Sequence, residues 1–469
     1  LFLVGEKILS GVDRPLLDPF ACGGRRRVEI DGRFAPVQSV CAESVCIEAE
    51  FPVVLGEFAC TEDNLWYGQV QSHNGRNVRI LPLDLPEKIR PGELLRLSGE
   101  TLEDRLARVA PGIVLDPLGR QIIKIGDVSM GNLNFSTVPQ ETKGGSFWGL
   151  KTLGEFMNLH DGEGVVLLGS PPGGLPLLFS QIAAAQRADF LYIFCQGGYH
   201  ELYRYCRAVQ MAGSAERCMI LWTPPWNVPA LKNLAPRALT YLSALPDEGG
   251  RRLILIDDLH YWLESVREYG ESSGELPLPD GYPYTARRQL GELLDLKSLP
   301  DEEGRSTSLL VGWRYEEGFS PLAEHPYMGR LPRFMRTGII LEESSEYLLP
   351  SKDSWGELSP AGRCWRELCR LAEECDEALR PVLEALMGLF GSLFVEYSPL
   401  SFAAAPENVV QWSDDDGKTL VGLASRATPA LLEAVLKIRA ELQLSFREWP
   451  DVRRRGFIDW VRAQKEERS

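Results

Sequence analysis

Up to about residue 125 the chain alternates apolar and polar positions in short runs, such as Cys46-Ile-Glu-Ala-Glu-Phe-Pro-Val-Val and Trp66-Tyr-Gly-Gln-Val-Gln-Ser. A period of two puts one face of each run into a core, and turn signals such as Asn74-Gly75 separate the runs. Short strands at regular spacing predict a small N-terminal β-barrel over residues 1–125. The pattern changes after Phe147. Near-continuous apolar runs (Gly164–Gly169, Phe190–Cys195, Cys218–Trp222, Leu253–Asp257, Ser308–Gly312) alternate with amphipathic segments of helix length, among them Leu177–Arg187. Strands that are apolar on both faces and separated by helices predict an α/β core with a mostly parallel sheet, assigned to residues 126–355. From 356 to 469 the period becomes helical, clearest over Arg363–Arg380 and Thr428–Phe446. A C-terminal helical domain is therefore expected.

Composition narrows the function classes. Of 469 residues, 44% are apolar and 25% charged, the balance of a globular protein. The apolar runs are strand-sized, far short of the ~20 residues of a membrane span. Sixty-six acidic against 50 basic residues give a net charge of −16, which argues against a nucleic-acid partner, because phosphate binding rests on Lys and Arg. The short basic runs Arg25–Arg27 and Arg453–Arg455 read as solvated surface. Ten cysteines lie scattered with no CxxC pair, and Cys41/Cys46 and Cys364/Cys369 lack zinc-site spacing. Reduced thiols, no metal site and a cytoplasmic location are expected. The opening Leu1–Val4, followed by Glu6-Lys7, has neither the basic start nor the small-residue cleavage site of a signal peptide.

Two segments carry candidate chemistry. Gly169-Ser-Pro-Pro-Gly173-Gly174-Leu175-Pro176 lies between a strand and a helix, where a GxxxxGK[ST] phosphate loop would sit. Leu175 stands at the lysine position and Pro176 at the magnesium-binding hydroxyl. Loss of the ammonium removes a contact of about 1.5–3 kcal/mol, and Pro176 has no amide hydrogen to donate. Taken locally, the segment reads as a Gly/Pro turn. The second segment, Leu253-Ile-Leu-Ile-Asp257-Asp258, is an apolar strand ending in acids, the arrangement of a Walker-B carboxylate beside a phosphate loop. Further on, Glu264-Ser-Val-Arg267-Glu268 reads as a solvated helix face and Gly281-Tyr-Pro-Tyr284 as a turn.

In this order the segments resemble the catalytic-core family of rotary ATPases, and in particular the non-catalytic B subunit of vacuolar/archaeal-type enzymes. The resemblance covers about residues 45–350. It is carried by Ile89–Arg120 (IRPGELLRLSG…GIVLDPLGR), Ile256–Glu268 (IDDLHYWLESVRE) and Leu278–Leu294 (LPDGYPYTARRQLGELL). The degenerate Gly174-Leu175-Pro176, the helix Ser180–Gln186 and Ala235–Thr240 are similar to the B type. Where catalytic subunits of the family place a glutamate, Cys195-Gln-Gly197-Gly-Tyr199-His-Glu201 has Gly197, so the resemblance implies that this chain does not polarise an attacking water. Leu349-Pro-Ser-Lys-Asp-Ser354 is similar to the stretch that supplies an arginine to the neighbouring site. Ser354 stands at the arginine position, with Arg330, Arg333 and Arg336 nearby as candidate substitutes.

The resemblance implies a subunit with no catalytic residues of its own and no hydrolysis by the isolated chain. It would alternate with a catalytic A-type subunit in a hexameric head, meet central and peripheral stalk subunits, touch the membrane only through the complex, and support ATP-driven ion transport or ATP synthesis. ATP or ADP would bind weakly through Gly169, Gly173, Gly174 and their neighbours Leu175 and Pro176. The alternative is a divergent pseudo-ATPase that scaffolds a different assembly.

Overall fold

The computed structural model describes residues 33–41, 44–128, 156–157, 159–169, 174–244, 250–272, 274–314, 331–344, 347–358, 362–363, 365–366, 369–370 and 396–397. The chain forms two compact units, Leu1–Leu133 with Ala188–Leu309, and Asn134–Arg187 with Leu310–Ser469. Gly173, Arg330, the expected helix Thr428–Phe446 and most of Arg363–Arg380 lie outside the described residues.

The first unit opens with β1 (Phe34–Cys41), β2 (Ser44–Glu48), β3 (Phe58–Thr61), β4 (Tyr67–Asn74), β5 (Asn77–Pro82) and β6 (Leu94–Leu97). They close into a barrel in the order β1-β2-β5-β4-β3-β6, every neighbour antiparallel. Alternation fills its interior with Val37, Val45, Ile47, Trp66, Ile80 and Leu95. Gly75, at φ 62°, makes the tight turn between β4 and β5. Glu57 is buried but satisfied: its carboxylate accepts from both Arg33 guanidinium nitrogens at 3.0 Å and from the amides of Val54 and Gly99 at 2.7 Å. Helix α1 (Leu102–Leu106) follows, its start fixed by a capping box between Thr101 and Asp104.

Next in chain order come β7 (Ile113–Leu115), β8 (Gln121–Lys124), β9 (Gly164–Gly169), α2 (Gly174–Ala185), β10 (Phe190–Cys195), α3 (Tyr199–Met211) and β11 (Cys218–Trp222). They are followed by α4 (Pro229–Lys232), α5 (Ala235–Ala244), β12 (Arg251–Ile256), α6 (Leu259–Ser272), α7 (Tyr284–Leu294) and β13 (Ser306–Arg314). The last described elements are α8 (Leu331–Phe334), β14 (Thr337–Ser344), β15 (Tyr347–Pro350) and β16 (Glu396–Tyr397).

In the first unit the strands run β12-β10-β11-β7-β8, parallel except for the edge strand β8. In the second, β9 and β14 pair in parallel and β15 and β16 add antiparallel. This is the mostly parallel α/β architecture that the apolar runs predict. The barrel strands stop at Leu97, whereas Ile113–Leu115, inside the range read as barrel, pairs with β11, and Gln121–Lys124 pairs with Ile113–Leu115. All three β7 residues are buried, as a covered sheet requires. Helix α2 starts three residues before the expected Leu177, because proline is tolerated in a first helical turn and Pro176 falls there. Among the described residues no helix is long and apolar enough to cross a membrane.

Candidate functional site

The sequence-predicted residues fall in both units. Asp257 and Asp258 belong to the first; Gly169, Gly174, Leu175, Pro176, Arg333, Arg336 and Ser354 belong to the second.

In the first unit β12 ends at Ile256, and Asp257 and Asp258 follow it directly. Asp257 has no exposed surface, and both its carboxylate oxygens accept from the backbone amide of Gln196, at 3.0 and 3.1 Å. The Gln196 side-chain amide donates in turn to the carbonyl of Asp258. The Asp258 carboxylate accepts from the amide of Tyr261 at 3.3 Å, so it caps the first turn of α6. These contacts lock the tips of the paired strands β10 and β12 together. Burial, and then the Asp257 carboxylate, push the adjacent Cys195 thiol well above its ordinary value, which keeps it an inert core thiol.

Gly197 stands next in the chain. A Cβ there would lie 2.5 Å from Cβ and Cγ of Glu201, whose side chain folds over the glycine. The Gly197 carbonyl accepts from Trp222 Nε1 at 2.9 Å. Trp222, Tyr199 and Trp226 form an aromatic trio, with Tyr199 5.1 Å from each indole. Sequence reading missed Gln196, Glu201 and this trio. The signal available was Thr223-Pro-Pro-Trp226, an aromatic side chain placed just past a strand end in a proline turn.

In the second unit Gly169 closes β9, pairing with Leu341, and α2 begins at Gly174. Ser354 is buried, at 4% exposure. Its hydroxyl accepts from the amide of Ile340 at 3.0 Å, and its carbonyl accepts from Arg366 at 3.1 Å. A side chain at this position faces its own core. Arg333 and Arg336 are exposed and make no ion pair among the described residues.

A magnesium-bound nucleotide does not fit this donor set as it fits a hydrolytic site. Leu175 supplies no ammonium and Pro176 no hydroxyl. In the first unit, taken by itself, the strand-end acid Asp257 has no exposed surface and accepts from a backbone amide. What the segment retains for an anion is backbone amides and the start of a helix.

Comparison with known proteins agrees with the architecture. Residues 149–311 match the ATP synthase alpha/beta family, nucleotide-binding domain. The flagellum-specific ATP synthase of Rhizobium meliloti (strain 1021) is 23% identical over 251 residues, covering 50% of this chain and 54% of that protein. The flagellum-specific ATP synthase of Agrobacterium fabrum (strain C58) is 25% identical over 258 residues, covering 50% and 53%. The chain thus spans about half the length of these curated relatives. Among solved structures, the assembled ATPase EscN in complex with its central stalk EscO, from the enteropathogenic E. coli type III secretion system, superposes with a TM-score of 0.59 at 14% identity. That match covers 77% of this chain and 95% of the other and shares the fold. Residues 149–311 are thus similar to the nucleotide-binding domain of the ATP synthase alpha/beta family, to which rotary-type ATPases belong.

Proposed function

We propose that this chain is a ring-forming subunit of a rotary-type assembly that does not itself hydrolyse ATP. The observation that carries the reading is the sealed Asp257, held on the Gln196 amide; the next residue, Gly197, brings no carboxylate of its own, and Glu201 folds over it. ATP or ADP, if taken up, is held weakly by loop amides around Gly169, Gly173 and Gly174, without magnesium chemistry. The subunit's contribution is then conformational: its open or closed state biases a neighbour's affinity, a coupling of about 1–3 kcal/mol.

In the finer form of the proposal the chain is B-like. It alternates with a lysine-bearing catalytic A-type subunit in a hexamer, meets central and peripheral stalk subunits, and works in the cytoplasm at the face of a membrane complex that moves ions or makes ATP. A second reading places it as a pseudo-ATPase in another assembly. It is favoured by relatives named as flagellum-specific ATP synthases and by the inward-facing Ser354 at the expected arginine position.

The test is native mass spectrometry of the assembly purified from its own cells, paired with a phosphate-release assay on the isolated chain. An alternating hexamer with a lysine-bearing partner, and no release above a buffer blank, supports the B-like form. A homo-oligomer with no release moves the assignment to the scaffold. Steady release that Asp257→Ala abolishes overturns both.

A further inference from the structure

The first unit holds a cavity of 210 Å³ between the barrel, the β7–β8 hairpin and the turn after β11. Trp222 and Trp226 form one corner of it, their ring planes at 82° with centroids 6.0 Å apart. Trp222 is fixed there by its bond to the Gly197 carbonyl, and Tyr199, outside the lining, packs on both indoles. Trp222 is buried, at 2% exposure, and backs the corner, so the exposed Trp226 presents the ring surface on which a ligand can stack. Trp226 is 55% exposed and Leu85, also in the lining, 50%. Exposed apolar groups rimming a pocket mark binding sites more often than chance scatter.

The charges in the wall come as closed pairs. Lys88 bonds Asp84 at 3.0 Å, and Arg120 bonds Asp116 at 2.6 Å while its guanidinium lies 4.3 Å over the Tyr67 ring. The cavity therefore presents no uncompensated charge. Asn227 is half-buried in the lining, and its amide nitrogen makes only a long bond, 3.4 Å, to Thr223 Oγ1. Its carbonyl oxygen can accept from a ligand. The volume lies below the ~300 Å³ at which pockets for drug-sized molecules begin.

We propose that this cavity is a binding site for a small, neutral, planar aromatic ring carrying one hydrogen-bond donor, a phenol or an indole, seated in the Trp222–Trp226 corner with its donor on Asn227. The site shares nothing with the degenerate phosphate loop and does not depend on the ring-subunit reading. A free metabolite and a tyrosine side chain of another polypeptide present the same chemistry.

The experiment uses the full chain with p-cresol as probe, followed by ligand-detected saturation-transfer NMR. Saturable binding in the millimolar range is expected, with several-fold weaker binding of toluene, which lacks the donor, and of 4-hydroxybenzoate, which carries a charge. Trp226→Ala, at an exposed position that leaves the fold intact, should weaken binding at least tenfold. Asn227→Ala should remove the preference for p-cresol over toluene. N-acetyltyrosinamide binding as well as p-cresol points to a polypeptide source; exclusion of it points to a free metabolite. Absence of saturable binding overturns the proposal, and so does binding unchanged in both Trp226→Ala and Leu85→Glu.

Discussion

The single most constrained residue in the candidate site is Asp257, and its constraint is structural. Its carboxylate is the partner of the buried Gln196 amide. Removing an acceptor in a dry environment leaves the donor with its full desolvation penalty, about 1–3 kcal/mol. Asp257→Ala should therefore lower the unfolding free energy measured in urea by that amount, while the rate of phosphate release stays at the blank. A functional Walker-B acid would show the reverse, lost turnover with little lost stability. The sequence made Asp257 visible as an acid at the end of an apolar strand. Its partner lies 61 residues away, and no local pattern encodes that pairing. Ser354 is the same lesson on the other unit: the spacing aligned it with an arginine, but only the fold shows its hydroxyl bound to Ile340 inside a core.

At the scale of elements, α6 shows how a helix face that reads as solvated acquires a tertiary tie. Glu264 and Arg267 pair at 2.6 Å one turn apart, as the sequence suggests. In addition the Tyr282 hydroxyl, from the Gly-Tyr-Pro turn before α7, donates to Glu264. Burial raises the Glu264 carboxyl, but the Tyr282 and Arg267 hydrogen bonds outweigh it and hold the group below its ordinary range. A carboxyl depressed in the folded state contributes stability above its unfolded value, near pH 4.3, and loses that contribution as pH falls through its folded value. Glu264→Gln should therefore destabilise the protein at pH 7 and become neutral once the pH has fallen below the carboxyl's depressed folded value. Denaturant midpoints measured over falling pH provide the check, and a gap that does not narrow as the pH falls would show that packing, not charge, holds the helix. The strands were the most legible elements, because a run such as Leu253–Ile256 buries both faces and admits little else. Their partners were not: apolar runs do not say which strand lies beside which, and the aromatic cavity is assembled from turns and strands far apart in the chain.

At the scale of the whole molecule, the barrel and the first unit's sheet share a chain segment. Arg237 on α5 pairs with Glu103 on α1, and Arg120 on the β7–β8 hairpin lies over Tyr67 of β4. The family match begins at residue 149, yet β11 takes its neighbour from residues 113–115. A fragment starting at 149 would leave the fully buried β11 as a bare apolar edge, the kind of edge that recruits other chains. It should aggregate on expression, whereas a fragment starting at residue 33 should not; light scattering of the two separates the outcomes. The hairpin also bears on where the chain can be cut. Because two strands of the sheet are written upstream of the matched residues, the edge of the match is not an edge of the fold, and any separation of the chain there divides a sheet rather than two domains.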